Sequence, residues 1–458
     1  MINGCSECFE KQRKIDELGE EVKRLKAKLR IQERKQKEGA FGSSTPSSKR
    51  PIKANVPGIE SKKMGARQGH QGSGRKKFDQ ADADQVVEVE SGQDRCSKCG
   101  RFLEDKGMDD RMVLDCQPIK TKKILYHLPK RYCSHCHRTV RAVAPGVLPK
   151  CLFGNQLIVN AATSHYQHGL PLGRICEQIG IGVGSLVEIF HRLARLFRQV
   201  PQKLMQEYRQ AAVKHADETS WRTNGKNGYV WLFATRKLSI FQFGERRSAV
   251  VPRAVFGTEK LPGVLVVDRY NAYNKVPCKI QYCYAHLLRD TNDLEKDFPD
   301  DLEVRTFVAT AAPLLSLAMG LRSQDITDAA FLGKATDLKS EIVAVMESPA
   351  QHLGICHIQD IFREKQARLY HWTKNRQIPA DNNMAERDLR PSVIARKVSF
   401  GSVSDAGAQT RSILTTLVVT LKKRGYDVTS HLKWVLDQMA KDVHQDPLPL
   451  LFPASASP

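Results

Sequence analysis

Three acidic residues lie where carboxylates could act together on a phosphate. Asp217 lies in the segment HADETSWR, Asp268 follows the apolar run VLVV, and Glu386 lies in NNMAERDLRP. Carboxylate oxygens are ligands that Mg²⁺ prefers, and water and phosphate oxygens usually complete its shell. Two such ions about 3.5–4 Å apart stabilise the attacking and leaving oxygens of a phosphoryl transfer. The acids therefore predict phosphoryl-transfer chemistry with two Mg²⁺ (or Mn²⁺) ions.

Neighbouring residues leave alternatives open. Glu218 competes with Asp217, because pattern alone does not separate two adjacent acids. Aspartates after strands also serve as turn or capping residues. Arg387 and Arg390 follow Glu386 and are candidates for phosphate contact, or they form a solvated helix face.

The elements around the first two acids predict a mixed α/β sheet. A short strand ends at Asp217 and Glu218, Tyr229–Ala234 and Ser239–Phe243 form two more strands, and Val264–Val267 forms a buried strand before Asp268. The segment IQYC adds a strand that runs into a helix. Ligands gather at the carboxyl ends of strands in open α/β sheets, so both acids are expected there, side by side.

Glu386 is expected in the first turn of a helix that follows Pro379, with Asn382 as a candidate N-cap. Between Asp268 and this helix the sequence predicts three helices, Leu302–Leu321, Ala329–Met346 and Ile358–Trp372. They form either an insertion that contacts DNA ends or partner subunits, or a passive extension of the core.

Two pairs of cysteines predict a structural zinc site. Cys96 and Cys99 lie in CSKC, and Cys133 and Cys136 lie in CSHC. Two such turns offer four thiolates for tetrahedral zinc; the alternative is two hairpins with buried cysteines and no metal. Cys5 and Cys8 also have this spacing, but they lack a second pair nearby.

A helix-turn-helix is outlined between the cysteines and the acids. Leu172 to Ile179 predicts one helix, 180–184 a glycine-containing turn, and Ser185 is a plausible N-cap of the second helix. The second helix of such a motif can enter a major groove. An ordinary helical hairpin is the alternative, since LVEIFHRL is apolar for a recognition helix.

The N-terminal part combines a heptad pattern with a basic arm. Five apolar residues alternate at spacings of three and four, which is typical of a short coiled coil or of a lone amphipathic helix: Ile15, Leu18, Val22, Leu25 and Leu29. The following Gly-, Ser- and Pro-rich segment contains many cations, including Arg75, Lys76 and Lys77. These are candidates for DNA phosphate contact.

Composition supports a polyanionic partner. The 458 residues have a formal net charge of +22, which favours nucleic acid. Residues 1–30 are mostly charged, and the longest apolar-rich stretch, Ala311 to Leu321, is too short for a bilayer. We therefore expect a cytoplasmic protein, associated with the nucleoid when it binds DNA, and no membrane partner.

The motifs HADETSWR, VVDRYNAY, CYAHLLRD and NNMAERDLRP, in that order, resemble the insertion-sequence-66-type transposases, a branch of the DDE transposases with an RNase H-like core. The resemblance covers nearly the whole chain. It implies that Asp217, Asp268 and Glu386 are the catalytic acids. Cys283 and His286 match a CxxH feature with a structural or DNA-contacting role.

The resemblance also implies DNA cleavage and strand transfer at element ends, homo-oligomers and accessory proteins of the same element. The expected organisation is a coiled coil (1–38), a flexible basic linker (39–85), a zinc-binding domain (86–150), a helix-turn-helix region (151–205), a first core part (206–296), the helical insertion (297–375), the catalytic helix (376–426), and a C-terminal helix and tail (427–458). The rival classes are an RNase H-like nuclease or resolvase without strand transfer, and a non-catalytic DNA-binding regulator.

Overall fold

The structure is a computed structural model that describes residues 6–38, 95, 98–102, 121–133, 135 and 137–453. The chain divides into two compact units, residues 51–120 and the remainder. In the smaller unit, Arg95 and Phe102 pair as an isolated antiparallel bridge, and the Arg95 guanidinium lies 3.8 Å from the centre of the Phe102 ring. All elements named below belong to the larger unit.

The strands are β1 (Lys130–Cys133), β2 (Arg138–Arg141), β3 (Val213–Thr223), β4 (Lys226–Ala234), β5 (Ser239–Gly244), β6 (Val264–Val267) and β7 (Lys279–Tyr282). The helices are α1 (Ser6–Glu38), α2 (Asn155–Tyr166), α3 (Leu172–Ile179), α4 (Val183–Leu196), α5 (Val200–Gln210), α6 (Val250–Phe256), α7 (Tyr284–Asp297), α8 (Leu302–Leu321), α9 (Asp328–Glu347), α10 (Leu353–Glu364), α11 (Asn383–Ser399), α12 (Asp405–Lys423), α13 (Val428–Lys441) and α14 (Pro447–Leu451).

Strands β3 to β7 form one mixed sheet in the order β5-β4-β3-β6-β7. β3, β4 and β5 are antiparallel, whereas β6 is parallel to β3 and β7 is parallel to β6. This confirms the predicted mixed α/β sheet, and it is compatible with a transposase core. The separate pair β1 and β2 is a short antiparallel hairpin.

The prediction that β3 ends at Asp217 and Glu218 is wrong. β4 pairs with β3 from His215 to Thr223, so the strand continues past both acids. Asn224 and Gly225 both have positive φ values, 51° and 72°. An Asn-Gly pair in that conformation makes the tight turn that favours a long hairpin, and this turn was missed in the sequence.

Helices pack against both faces of the sheet. Trp221, Leu232 and Phe241 form one apolar cluster with Ala385 and Leu389 of α11. On the other face, the alternate residues Ala216, Trp231, Phe233 and Ile240 join the main core, which includes α5 and α6. Alternation along β3 therefore sends successive side chains into two different environments.

The insertion is helical, with some altered boundaries. α8 matches its predicted bounds, α9 extends to Asp328–Glu347, and α10 ends at Glu364 rather than Trp372. Gln366–Arg368 and His371–Thr373 are 3₁₀ turns instead, and Trp372 packs edge-on to Tyr284.

By length and hydropathy alone α8 could cross a membrane, and it is longer than the stretch Ala311 to Leu321 that the sequence analysis considered. One such helix is weak support for a span, because core helices of globular proteins have the same composition. Here its buried residues pack in the main core, and α8 contacts α7 and α9.

A helix pair occupies the predicted helix-turn-helix position. α3 ends at Gly180, whose φ of 70° suits a left-handed C-cap. The second helix begins earlier than predicted: Gly182 is the N-cap of α4, and Ser185 lies inside the helix. Gly182 has an extended backbone and makes no side-chain capping hydrogen bond. The hydroxyl of Ser185 therefore does not cap α4.

α1 leaves its predicted heptad stripe exposed. Ile15, Leu18, Val22, Leu25 and Leu29 are each 48–60% exposed. The opposite side packs against the rest of the unit through buried Ala27 and Ile31, and Arg30 contacts Asp297 at 2.7 Å. The stripe is therefore available to a partner, and the coiled coil stays a prediction.

Candidate active site

Asp217 is a buried acid on the α11 face of β3. Its Oδ1 accepts the N–H of Glu218 at 2.8 Å, and no ion pair to it is found within the described ranges. Burial, and then the charges of Glu218, Asp268 and Glu386, raise the pKa of Asp217 well above its usual value. A buried carboxylate among like charges favours either protonation or a bound cation.

Glu218 points to the other face and is fully engaged. Its Oε1 accepts from Arg247 Nε at 2.9 Å and Nη2 at 2.6 Å, and its Oε2 accepts from the Tyr273 hydroxyl at 2.6 Å. The Arg247 guanidinium lies 3.9 Å from the centre of the Tyr270 ring. Burial and Asp268 raise the pKa of Glu218 to about 7, although Arg247 and Tyr273 act to lower it.

Asp268 directly follows β6, beside Asp217. His215 is in register with Val266 across the parallel pair β3–β6, so each acid lies two residues beyond a matched pair. Asp268 Oδ1 accepts the N–H of Tyr270 at 3.0 Å, which fixes the turn after the strand. Its neighbour Arg269 is buried and forms an ion pair with Asp290 of α7, so Arg269 is not a free cation at the acids.

Glu386 lies in the first turn of α11, close to the CxxH segment. Its Oε1 is buried without a hydrogen bond in the described part of the chain, 4.0 Å from His286 Nδ1. His286 is half-buried, and its two ring nitrogens are buried without a hydrogen-bond partner among the described residues. Burial lowers the pKa of His286, while Asp268 and Glu386 act to raise it. His286 Nδ1 therefore lies near the Glu386 carboxylate.

The start of α11 is bound to β3 by Asn382. Its Oδ1 accepts from His215 Nδ1 at 2.8 Å, its Nδ2 donates to the Ala216 carbonyl at 2.9 Å, and its backbone N–H donates to Cys283 Sγ at 3.1 Å. Burial lowers the pKa of His215 to about 4, so the ring is neutral at pH 7 and Nδ1 carries the proton.

Asn382 is thus the N-cap residue of α11, but its side chain makes no cap hydrogen bond. The predicted capping role is wrong in that respect, because the side chain binds the neighbouring strand instead. Cys283 has a structural contact in this arrangement. Sequence reasoning missed His215; its position two residues before Asp217, on the same face of a strand, was the available signal.

The carboxylates fit a divalent cation by their chemistry. Asp217, Asp268 and Glu386 offer oxygen ligands that suit Mg²⁺, and one buried Glu386 oxygen lacks a partner. Within the described residues, however, no three His, Cys, Asp or Glu side chains already converge on one point as metal ligands. Holding a cation would require the side chains of the three acids to draw closer together.

The other predicted site residues are distributed more widely. Arg390 is exposed one helical turn after Glu386, whereas exposed Arg387 faces a separate cavity. Cys99 is exposed and free of disulfides, and Cys133 ends β1. Cys5, Cys96, Cys136, Arg75, Lys76 and Lys77 lie outside the described residues, as does the side chain of Cys8.

Comparison with known proteins shows the family of this chain. The uncharacterized protein y4qI of Sinorhizobium fredii (strain NBRC 101917 / NGR234) is 24% identical over 418 residues, which cover 82% of this chain and 76% of the relative. The uncharacterized protein y4jD of the same strain is 23% identical over 402 residues, covering 78% and 76%. The family model described as Transposase IS66 family matches residues 150–410, more than half of the chain, and spans all three acids. This chain therefore belongs to the IS66 transposase family.

Proposed function

We propose that this transposase cleaves DNA at the ends of its element and transfers the freed strand to target DNA by a DDE mechanism. Asp217, Asp268 and Glu386 are its catalytic acids. The observation that carries the proposal is geometric: Asp217 and Asp268 each lie two residues beyond the matched pair His215 and Val266, and Asn382 binds the start of the Glu386 helix to β3. Acids on neighbouring elements repel each other, and a bound cation would relieve that repulsion.

Asp217, Asp268 and Glu386 would hold Mg²⁺ (or Mn²⁺), two ions per site. When bound, these ions supply activation of water or a 3′-hydroxyl and neutralisation of the charge that develops on the phosphate. Glu218 is excluded from this set, because Arg247 and Tyr273 already occupy its oxygens.

The chain itself contributes position and charge, the main sources of catalysis in phosphoryl transfer. β3 and β6 hold two acids at matched positions, and Asn382 fixes the start of the helix that carries the third. Arg390, one turn beyond Glu386, is the nearest candidate for phosphate contact on that helix.

The remaining modules complete the proposal. The sheet is an RNase H-like core, and Cys96, Cys99, Cys133 and Cys136 hold a structural zinc in a ribbon-like domain. The region 151–205 binds DNA as a helix-turn-helix, and α1 joins copies as a coiled coil in a homo-oligomer. Accessory proteins of the same element are further expected partners.

The test is cleavage of a labelled duplex that carries the element's terminal sequence, with Mg²⁺ or Mn²⁺. Wild type, Asp268→Asn and the matched control Asp300→Asn, at an exposed loop position, are compared, and DNA binding is measured in parallel. We expect metal-dependent nicking and joining in wild type and control, lost in Asp268→Asn with binding retained. Nicking without joining would indicate a nuclease, and cleavage by Asp268→Asn would overturn the assignment.

A further inference from the structure

A large cavity borders the candidate active site without including its acids. It has a volume of about 1130 Å³ and lies between the end of β4, the end of α8 and the first turn of α11. Pockets for small ligands usually measure about 300–1,000 Å³. Asp217, Asp268 and Glu386 are not among its lining residues, so the cavity is a separate feature.

The lining of the cavity has a net positive charge when the residues that form ion pairs are left out of the count. Its charged residues are Arg236, Lys237, Arg322, Arg376 and Arg387 against Glu207, Asp328 and Asp381. Glu207 is paired with Arg424 at 2.6 Å, and Asp328 is paired with Arg376 at 3.2 Å. Four cations therefore face Asp381 alone.

These four cations lack partners in the part of the chain that the structure describes. The side chains of Arg236, Lys237, Arg322 and Arg387 make no hydrogen bond or ion pair there. Arg376 is the contrast, because it donates to the carbonyls of Arg322 and Ile326 and is thus structural.

Arg322 shows the electrostatic consequence. Burial, and then the charges of Arg236 and Arg376, lower the pKa of Arg322, while Asp381 acts to raise it. Arg322 is half-buried, whereas Arg236, Lys237 and Arg387 are exposed. Cations held near one another repel each other, and a bound polyanion relieves that repulsion.

The cavity lies close to the acids along two elements. His215 lines it and lies two residues before Asp217 on the same face of β3, which is a distance of about 7 Å along a strand. On α11, Arg387 of the cavity directly follows Glu386. A strand cleaved at the acids would therefore reach the cavity within one or two nucleotides.

We propose that this cavity binds the sugar–phosphate backbone of the DNA strand next to the cleaved phosphate, with Arg236, Arg322 and Arg387 as its phosphate ligands. This inference rests on the proposed function, because it takes the strand at the acids to be DNA. The spread of cations over separate elements and the size of the cavity favour an extended chain over one free phosphate.

The test measures binding of a labelled oligonucleotide, as single strand and as duplex, across a salt series. All proteins carry Asp268→Asn, and no Mg²⁺ or Mn²⁺ is added, so cleavage does not enter the result. The variant is Arg322→Gln with Arg387→Gln. The matched control is Arg253→Gln with Arg305→Gln, at two exposed arginines outside the cavity lining.

Each lost phosphate contact lowers the salt slope of log affinity by about 0.7–0.9. We therefore expect the cavity variant to lose about 1.4–1.8 from the slope, and to bind roughly tenfold or more weakly at low salt. The control pair keeps the wild-type slope. Arg322→Lys restores most of the affinity, which separates charge from folding, and Asp381→Asn strengthens binding because it removes the remaining acid of the lining.

An unchanged slope in a folded cavity variant would overturn the proposal, as would free nucleotide binding that depends on the arginines while oligonucleotide binding does not. The two proposals fail separately. If Asp268→Asn still cleaves DNA but the arginine variants bind it weakly, the catalytic assignment is wrong and the cavity stands. If the arginine variants bind normally while Asp268→Asn loses cleavage, the reverse holds.

Discussion

The two faces of β3 treat adjacent acids in opposite ways. Asp217, on the α11 face, is buried beside other acids and has no ion pair among the described residues. Glu218, on the opposite face, accepts two hydrogen bonds from Arg247 and one from Tyr273. The one-residue step along a strand therefore separates an acid with free ligand capacity from one whose oxygens are occupied.

Burial alone does not distinguish the two acids. Both carboxyl groups are buried, and burial raises the pKa of each. What distinguishes them is the sign of the neighbouring charge: Glu218 has a guanidinium within hydrogen-bond distance, whereas the neighbours of Asp217 are other carboxylates. A buried acid with a fixed cation is a packing element, and one among acids suits a bound metal.

The largest expected effect is on catalysis. Asp217→Asn keeps the shape of the side chain but removes a charged ligand, so we expect cleavage to fall by at least about a thousandfold, the scale of lost charge stabilisation in phosphoryl transfer. Single-turnover cleavage of the labelled duplex measures it. Asp300→Asn serves as the control, and a loss of less than tenfold would remove Asp217 from the catalytic set.

The second effect is a loss of stability on substitution of Glu218, on the face of β3 opposite Asp217. Glu218→Gln leaves the Arg247 charge buried without its partner, and breaking such a pair typically costs about 3–5 kcal/mol. We expect a loss at the lower end of that range at pH 8, because the change also relieves repulsion with Asp268. Urea unfolding measures it in the absence of metal.

The double variant Glu218→Gln with Arg247→Gln sharpens this prediction. If the penalty comes from the orphaned charge, the double variant should lose less stability than the sum of the two single variants. Additive losses would mean that Arg247 stabilises the fold independently of Glu218, and the contrast between the faces would weaken.

Much of the sheet was predictable from local pattern, and the length of β3 was not. Val264–Val267 and the helix Leu302–Leu321 were predicted at their observed bounds, because continuous apolar or periodic runs determine them. The extension of β3 depends on β4 and on the Asn224–Gly225 turn, a pairing that a pass over single segments overlooks. The start of α4 was misplaced because a glycine caps it without a side-chain signal.

The catalytic role of the three acids stays a prediction, and the contacts that hold them in place could not be predicted from the sequence. Three acids stand out by motif, yet the choice between Asp217 and Glu218 needed the partner Arg247, which is distant in sequence. Likewise, Asn382 was predicted as a cap and instead binds His215 and Ala216. Contacts between residues so far apart along the chain leave no periodic trace in one sequence.

A third prediction tests whether the Asn382 side chain holds α11 against β3. Asn382→Ala leaves His215 Nδ1 and the Ala216 carbonyl without their buried partner, which costs about 1–3 kcal/mol. Cleavage should fall less than in Asp217→Asn, because Glu386 is displaced rather than removed. Unfolding and single-turnover cleavage are measured together, with Asn383→Ala as the matched neighbour. Unchanged stability would show that the other contacts of α11 are sufficient to hold it.

The smallest signal is a difference between two pH profiles. The pKa of Asp217 is higher in the folded protein than in the unfolded chain. The contribution of Asp217 to the free energy of unfolding is therefore fully present below the unfolded pKa and is lost as the pH rises through the folded pKa. The amide introduced by Asp217→Asn does not ionise, and the buried histidines contribute equally to both proteins. Without metal, Asp217→Asn should therefore gain stability over wild type from pH 5 to pH 8, as measured by urea unfolding.

Adding Mg²⁺ should reverse this gain, since only the wild-type site keeps all three carboxylates for the ion. A gap that is constant with pH would mean that neither burial nor the neighbouring acids disfavour the charge on Asp217, and the contrast with Glu218 would then lie in hydrogen bonding alone.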